Sequence, residues 1–192
     1  MPKLFASKIS NLTDARFFAA YMPDYMSMPL PNNDSEEIQR CTAIKNWIEG
    51  ISWVAELNHA IDESTAAILE QLGIDVVLFG GRQIPFSLPN HLSGLLSISQ
   101  SEFYSTIQKD LSPFDQLILP SGCSVDRIKE VLQKFDGPIW STVESERDWE
   151  EILPFLDIIE GIVVHGGEED KVGLKSFEDK SELLDRILGD IN

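Results

Sequence analysis

The chain has 192 residues, 43% of them hydrophobic and 24% charged, enough length and apolar content for one domain with a buried core. Lys and Arg number 15 against 32 Asp and Glu, a net charge of −17. A field of that sign repels phosphate backbones and anionic lipid, so neither nucleic acid nor a membrane surface is expected as a partner.

Short apolar bursts alternate with longer amphipathic stretches from one end to the other. Residues 4–9 read as a strand, followed by a helix over 14–21 that Thr13 is placed to cap. A short strand at 25–28 leads through the turn residues Pro29, Pro31, Asn32 and Asp34 to a helix over 36–49. Ile38, Cys41, Ile44 and either Trp47 or Ile48 form its apolar stripe. A strand at 52–57, a helix at 63–72 ended by Gly73, and a strand at 76–79 ended by Gly80 and Gly81 come next. Pro85 and Pro89 argue against a full helix over 82–93. Regular alternation then resumes: strand 95–98, helix 102–111, strand 116–119, helix 125–135, strand 138–142, helix 146–155, strand 161–164 and helix 181–188.

Strict alternation of strand and helix implies parallel strands joined by crossovers. Eight such units without an internal break favour a single-domain (β/α)8 barrel over residues 1–192, with a doubly wound open sheet as the other architecture. The length lies below the usual range for that barrel, so the connections must be short. Cys41 and Cys123 form no disulfide framework, the first residues lack a leader-like apolar segment, and no run is long enough to span a bilayer. A cytoplasmic, soluble protein is the expectation.

In such a barrel, chemistry sits at the carboxyl ends of the strands. Those ends carry Lys8 to Asn11, Asn58 and His59, Gly80 and Gly81, Pro120 to Cys123, Thr142 to Ser145, and His165 to Glu169. Alternation places Leu4, Ala6, Lys8 and Ser10 on one side of the first strand. Lys8 then serves either as an anion-binding or Schiff-base amine, or as the partner of an inward carboxylate such as Glu56. Cys123 is a candidate nucleophile near His165 or His59, or a passive thiol. His165 with Glu144, Glu168, Glu169 and Asp170 is a candidate divalent-metal cluster, or a solvated loop. The pairs Gly80-Gly81 and Gly166-Gly167 either cradle an anion or make tight turns. Trp53 and Trp140 fall inside strands and read as core residues.

Three segments, in order along the chain, resemble phosphoribosylanthranilate isomerase, the small barrel of tryptophan biosynthesis. Lys8-Ile9-Ser10-Asn11-Leu12-Thr13 with Asp14-Ala15 is similar to that family's opening Lys-Ile-Cys-Gly-Ile/Leu-Thr and its Asp-Ala helix. Leu72-Gly73-Ile74-Asp75-Val76-Val77, closed by Gly81, resembles its Leu-Gly-X-Asp-Val-Val-Gln-Leu-His-Gly. Gly161 to Glu169, then Val172-Gly173-Leu174-Lys175, resembles its Gly-Val-Asp-Val-Ser-Ser-Gly-Val-Glu and Pro-Gly-Val/Ile-Lys.

The resemblance implies a barrel whose first strand turns Leu4, Ala6, Lys8 and Ser10 inward, and an Amadori rearrangement, in which an acid protonates the ribose ring oxygen and a base removes the C2 proton. It also locates where that chemistry is missing. The family's cysteine base corresponds to Ser10, a hydroxyl too weakly acidic to act without an activating neighbour. Its aspartate acid corresponds to Pro120, which has no titratable group. Its arginine after the second strand has no counterpart before Arg40, and its phosphate-binding Gly-Gly turn corresponds to Val143-Glu144. A carboxylate repels a phosphate dianion there, by about 1 kcal/mol at 4 Å even in full water.

The expected function is therefore an isomerase-like barrel without the isomerase reaction, acting as a small-molecule binder or interaction protein and using no cofactor. The alternatives are a working isomerase that has substituted its catalytic groups, and a different enzyme on the same barrel. The site residues expected are Ser10 and Lys8 for any catalysis, with Glu144, His165, Gly166, Gly167 and Gly81 around a ligand.

Overall fold

Parallel strands covered on both faces need apolar residues at nearly every position, and the short bursts of this sequence supply them. The computed structural model describes residues 2–80, 87–166 and 177–191. In it these bursts form β1 (Lys3–Ser7), β2 (Tyr25–Pro29), β3 (Ser52–Leu57), β4 (Val76–Gly80), β5 (Ser93–Ser97), β6 (Gln116–Leu119), β7 (Ile139–Thr142) and β8 (Gly161–His165). Each pairs in parallel with its neighbour in sequence and β8 returns to β1, so the sheet closes as an eight-stranded barrel. The closed order rules out the open sheet.

The helices among the described residues are α1 (Leu12–Ala19), α2 (Ser35–Trp47), α3 (Glu63–Leu72), α4 (Phe103–Thr106), α5 (Val125–Leu132), α6 (Glu146–Ile152) and α7 (Glu178–Ile191). Side-chain caps define several starts. Asn11, rather than Thr13, caps α1 by accepting the Asp14 amide at 2.9 Å. Asp62 accepts the Thr65 amide at the start of α3, and Gly73 closes that helix with φ 60°, a conformation open to glycine.

Three expected helices are clearly shorter than their periodicity suggests, among them α5, which ends at Leu132 rather than at 135. The stretch 102–111 yields only the four residues of α4, Phe103–Thr106, all of them weak helix formers. The Asp110 carboxylate, accepting the Ser112 amide at 2.9 Å, then turns the chain away. The helix expected over 146–155 stops at Ile152 and tightens into a 3-10 turn, Leu153–Ile158, where Pro154 has no N–H to continue the ladder. The last helix is longer than expected, and on α2 Trp47 lies outside the apolar stripe, 62% exposed with the Arg16 guanidinium over its ring.

Two apolar layers hold the barrel. Phe5, Val54, Leu78, Leu95, Ile118, Trp140 and Val163 fill its interior, while Leu4, Ala6, Val77, Phe79 and Leu117 face outward into the larger core beneath the helices. This reverses the sidedness expected for β1: Phe5 and Ser7 point inward, and Leu4 and Ala6 outward. Trp140 is the largest interior plug, edge-on to Phe5 at 5.8 Å and to Tyr25 at 5.6 Å, with its Nε1–H donating to Gln116 at 2.6 Å. Gly161 makes room for it. A Cβ there would lie 2.2 Å from the Lys3 carbonyl oxygen and 2.7 Å from the Trp140 ring.

Candidate functional site

Above the apolar plug, the inward residues turn polar at the carboxyl ends of the strands. Register sets Ser7 of β1 beside His165 of β8, and Gly80 of β4 beside Ser97 of β5. Together with Lys8 and Glu56 they ring a cavity of about 170 Å³ whose apolar wall includes Leu78, Ile118 and Val163. This is the face where the fold places its chemistry.

His165 is the most constrained group there. Its Nδ1 is hydrogen-bonded to the buried Ser7 hydroxyl, its carbonyl accepts the Lys180 ammonium at 2.6 Å, and its Nε2 lies 3.9 Å from a Glu144 carboxylate oxygen. Burial first, then the nearby Lys8 and Lys180 cations, push its pKa down to about 4 against the opposing pull of Glu144. The imidazole is therefore neutral at pH 7.

Glu56 forms the opposite anchor. Its Oε1 accepts the Ser27 hydroxyl at 2.5 Å and the Lys8 amide at 2.7 Å. The sequence suggested an ion pair between Glu56 and the Lys8 ammonium; the structure instead engages the Lys8 backbone. Lys8 is not part of β1. It sits just past the strand with φ 59°, an uncommon conformation for a residue with a Cβ, and its exposed side chain lines the cavity.

The other expected residues fall as follows. Ser10 is exposed, accepts a hydrogen bond from Asn11 at 3.3 Å, and is not among the residues lining the cavity. Pro120 directly follows β6, as the resemblance placed it. Glu144 follows β7 and accepts the Ser121 hydroxyl at 3.1 Å. The amides of Glu144 and Ser145 both donate to one oxygen of Asp148, at 3.1 and 3.0 Å, within the capping box of α6. Gly166 donates its amide to the Ser7 carbonyl at 2.6 Å, and a Cβ there would meet the Lys8 carbonyl at the same distance. Close approach of β8 to β1 explains this glycine. Gly81 and Gly167 lie outside the described residues, as do Glu168, Glu169 and Asp170.

Cys123 is buried and its thiol is pushed up to about 11 by that burial, which leaves almost no thiolate at neutral pH. Cys41 is buried in the core, as its helix stripe predicts. Among the described residues, no three His, Cys, Asp or Glu side chains converge to hold a metal ion, and no helix is long and apolar enough to cross a membrane. Sequence reasoning missed Ser7, Ser27 and Ser97. Small hydroxyl residues inside strands carry no pattern of their own, and the wrong sidedness of β1 hid Ser7.

No family model matches the sequence, and neither does any curated protein. Solved structures do match in fold. Phosphoribosylanthranilate isomerase from Thermus thermophilus aligns with a TM-score of 0.67 at 16% identity, covering 97% of this chain and 98% of that one. A phosphoribosylanthranilate isomerase in complex with reduced 1-(o-carboxyphenylamino)-1-deoxyribulose 5-phosphate aligns with a TM-score of 0.71 at 13% identity, over 98% of this chain and all of the other. Thiamine phosphate pyrophosphorylase from Pyrococcus furiosus reaches 0.64 at 14% identity, covering 97% and 96%. At these identities the likeness is one of fold, shared by enzymes of different reactions.

Proposed function

We propose that this chain is a phosphoribosylanthranilate isomerase-like barrel that no longer performs the Amadori rearrangement and instead binds a small molecule at the carboxyl end of its strands. One observation carries the reading. The amides of Val143 and Glu144, which correspond to the family's phosphate-gripping Gly-Gly, are both taken within the chain: Val143 donates to the Val163 carbonyl at 2.9 Å and Glu144 to the Asp148 carboxylate at 3.1 Å. Internal acceptors thus occupy the donors this turn would offer a substrate phosphate, and the Asp148 and Glu144 carboxylates place two negative charges beside them. Pro120 after β6 and the exposed Ser10 support the same conclusion on the acid and base, since neither supplies a group for proton transfer. The polar ring above the apolar plug supports ligand binding: a cavity with a few convergent polar groups is the usual form of a small-molecule site.

The test is expression in a tryptophan auxotroph lacking the isomerase, alongside an assay of the purified protein on phosphoribosylanthranilate. No growth and no turnover from folded protein is the expected result. Growth, or turnover at an enzyme-like rate, overturns the proposal.

A further inference from the structure

We propose that the mouth cavity takes a small, unphosphorylated α-hydroxycarbonyl compound and enolises it, with Glu56 as the base and with His165 and Lys8 at the carbonyl oxygen. The inference rests on the reading that the mouth is a small-molecule site, and adds a substrate class and a reaction to it.

Size comes first. About 170 Å³ is below the range of pockets that hold drug-sized ligands, and suits a molecule of three or four carbons. Charge comes next. The turn after β7 has its amides taken within the chain and two carboxylates beside it, which favours a substrate without a phosphate. The charged and titratable groups lining the cavity are Glu56, His165 and Lys8, with the Glu144 carboxylate 3.9 Å from the His165 Nε2.

These three groups suit proton transfer next to a carbonyl. Glu56 is held at Oε1 by Ser27 and the Lys8 amide, while Oε2 has no hydrogen-bond partner among the described residues. An anchored carboxylate with one unoccupied oxygen is pre-organised as a base. When the Ser7 hydroxyl donates to Nδ1 of His165, the ring proton sits on Nε2 and is the donor offered to an oxygen. Its depressed pKa keeps that donor neutral, as suits polarising a carbonyl without surrendering a proton to water. The Lys8 ammonium adds a positive charge where the enediolate oxygen gains a negative one. The positive φ of Lys8, whose amide hydrogen-bonds to Glu56 and Ser27, is a conformational cost located at a residue that lines the cavity.

The step balances without a co-reactant. Glu56 takes the proton from the carbon bearing the hydroxyl, and the C–H electron pair becomes the enediol double bond. The carbonyl π pair moves onto the oxygen held by His165 and Lys8. Return of the proton from Glu56 to the neighbouring carbon, with proton exchange between the two oxygens, interconverts aldehyde and ketone.

The experiment follows glyceraldehyde and dihydroxyacetone in deuterated buffer at pH 7 by proton NMR, with saturation-transfer spectra on the same samples to read binding. The protein should accelerate C–H exchange and interconversion saturably, and Glu56→Gln should slow the exchange by about a hundredfold or more. Gln keeps an acceptor for Ser27 and Lys8, so its thermal melt should match the parent's; Glu56→Asp, which keeps the charge, should retain part of the rate. The surface variant Lys134→Gln should exchange like the parent. Binding of either sugar without exchange, exchange no faster than buffer, or exchange unaffected by Glu56→Gln overturns the enolisation proposal. The reading of the barrel as a retired isomerase stands or falls separately, on the auxotroph.

Discussion

Lowering the pH should unfold this barrel partly through one residue. His165 is a base whose pKa falls from the ordinary 6.5 to about 4 on folding, chiefly through burial. The folded state therefore prefers the neutral imidazole, and the unfolded chain takes up the proton first as the pH drops. Stability from this group is fully present above about pH 6.5 and is lost as the pH falls toward 4. At about 1.4 kcal/mol per pKa unit, the full loss is about 3 kcal/mol, and about 2 kcal/mol of it falls between pH 7 and pH 4.5. The side chain is only 22% exposed, so solvent screens little of this. Urea unfolding at the two pH values, for the parent and for His165→Asn, isolates the contribution. Carboxylates titrate in both proteins, so the difference between them belongs to His165. The variant should lose about 2 kcal/mol less than the parent over that interval. Equal losses would refute the argument, because they would mean that the imidazole is no less easily protonated in the fold than out of it.

Two further perturbations test the packing and the turn after β7. Gly161→Ala forces a Cβ against the Lys3 carbonyl and the Trp140 ring, which should cost about 2 kcal/mol. For a chain of this length that lowers Tm by about 4–8 °C; an unchanged melt would show that β1 and β8 part without penalty. Asp148→Ala removes the acceptor shared by the Glu144 and Ser145 amides and should cost about 1 kcal/mol in urea unfolding, with Asp148→Asn costing less. Equal stability of the parent and the alanine variant would show that the carboxylate does not hold those donors.

The barrel was legible because its signal is repeated. Eight apolar bursts separated by amphipathic stretches survive errors of two or three residues at any one boundary, and all eight strands lie where the bursts do. The sidedness of β1 was not legible, for a physical reason. Leu4, Phe5 and Ala6 are all apolar because one face meets the interior plug and the other the helices, so alternation carries no direction. The inward direction implied by the resemblance failed, since the strand ends at Ser7 and Lys8, beyond it, takes a positive φ. For the site, end-of-strand placement was enough to find Lys8 and His165, whose charge and ring stand out. It named Glu56 only as a partner for the Lys8 side chain. It could not find Ser27, which matters here through a single hydrogen bond to Glu56.

The arrangement also explains how such a barrel can change its chemistry without losing its fold. What closes the sheet is the apolar plug of Phe5, Ile118, Trp140 and their neighbours, one layer below the polar mouth. Substitutions at the strand ends leave that layer untouched. They do leave backbone donors to satisfy, and a turn built to bind phosphate has unpaired amides whenever the ligand is absent. Here the Val143 amide donates to Val163 and those of Glu144 and Ser145 to Asp148, so the turn's donors are satisfied within the chain. Stability should then not rise with phosphate concentration, as it must for a protein that binds phosphate only when folded, and thermal melts with and without phosphate read this directly. The residues at the mouth, Glu56, His165 and Lys8, are likewise held by contacts within the chain.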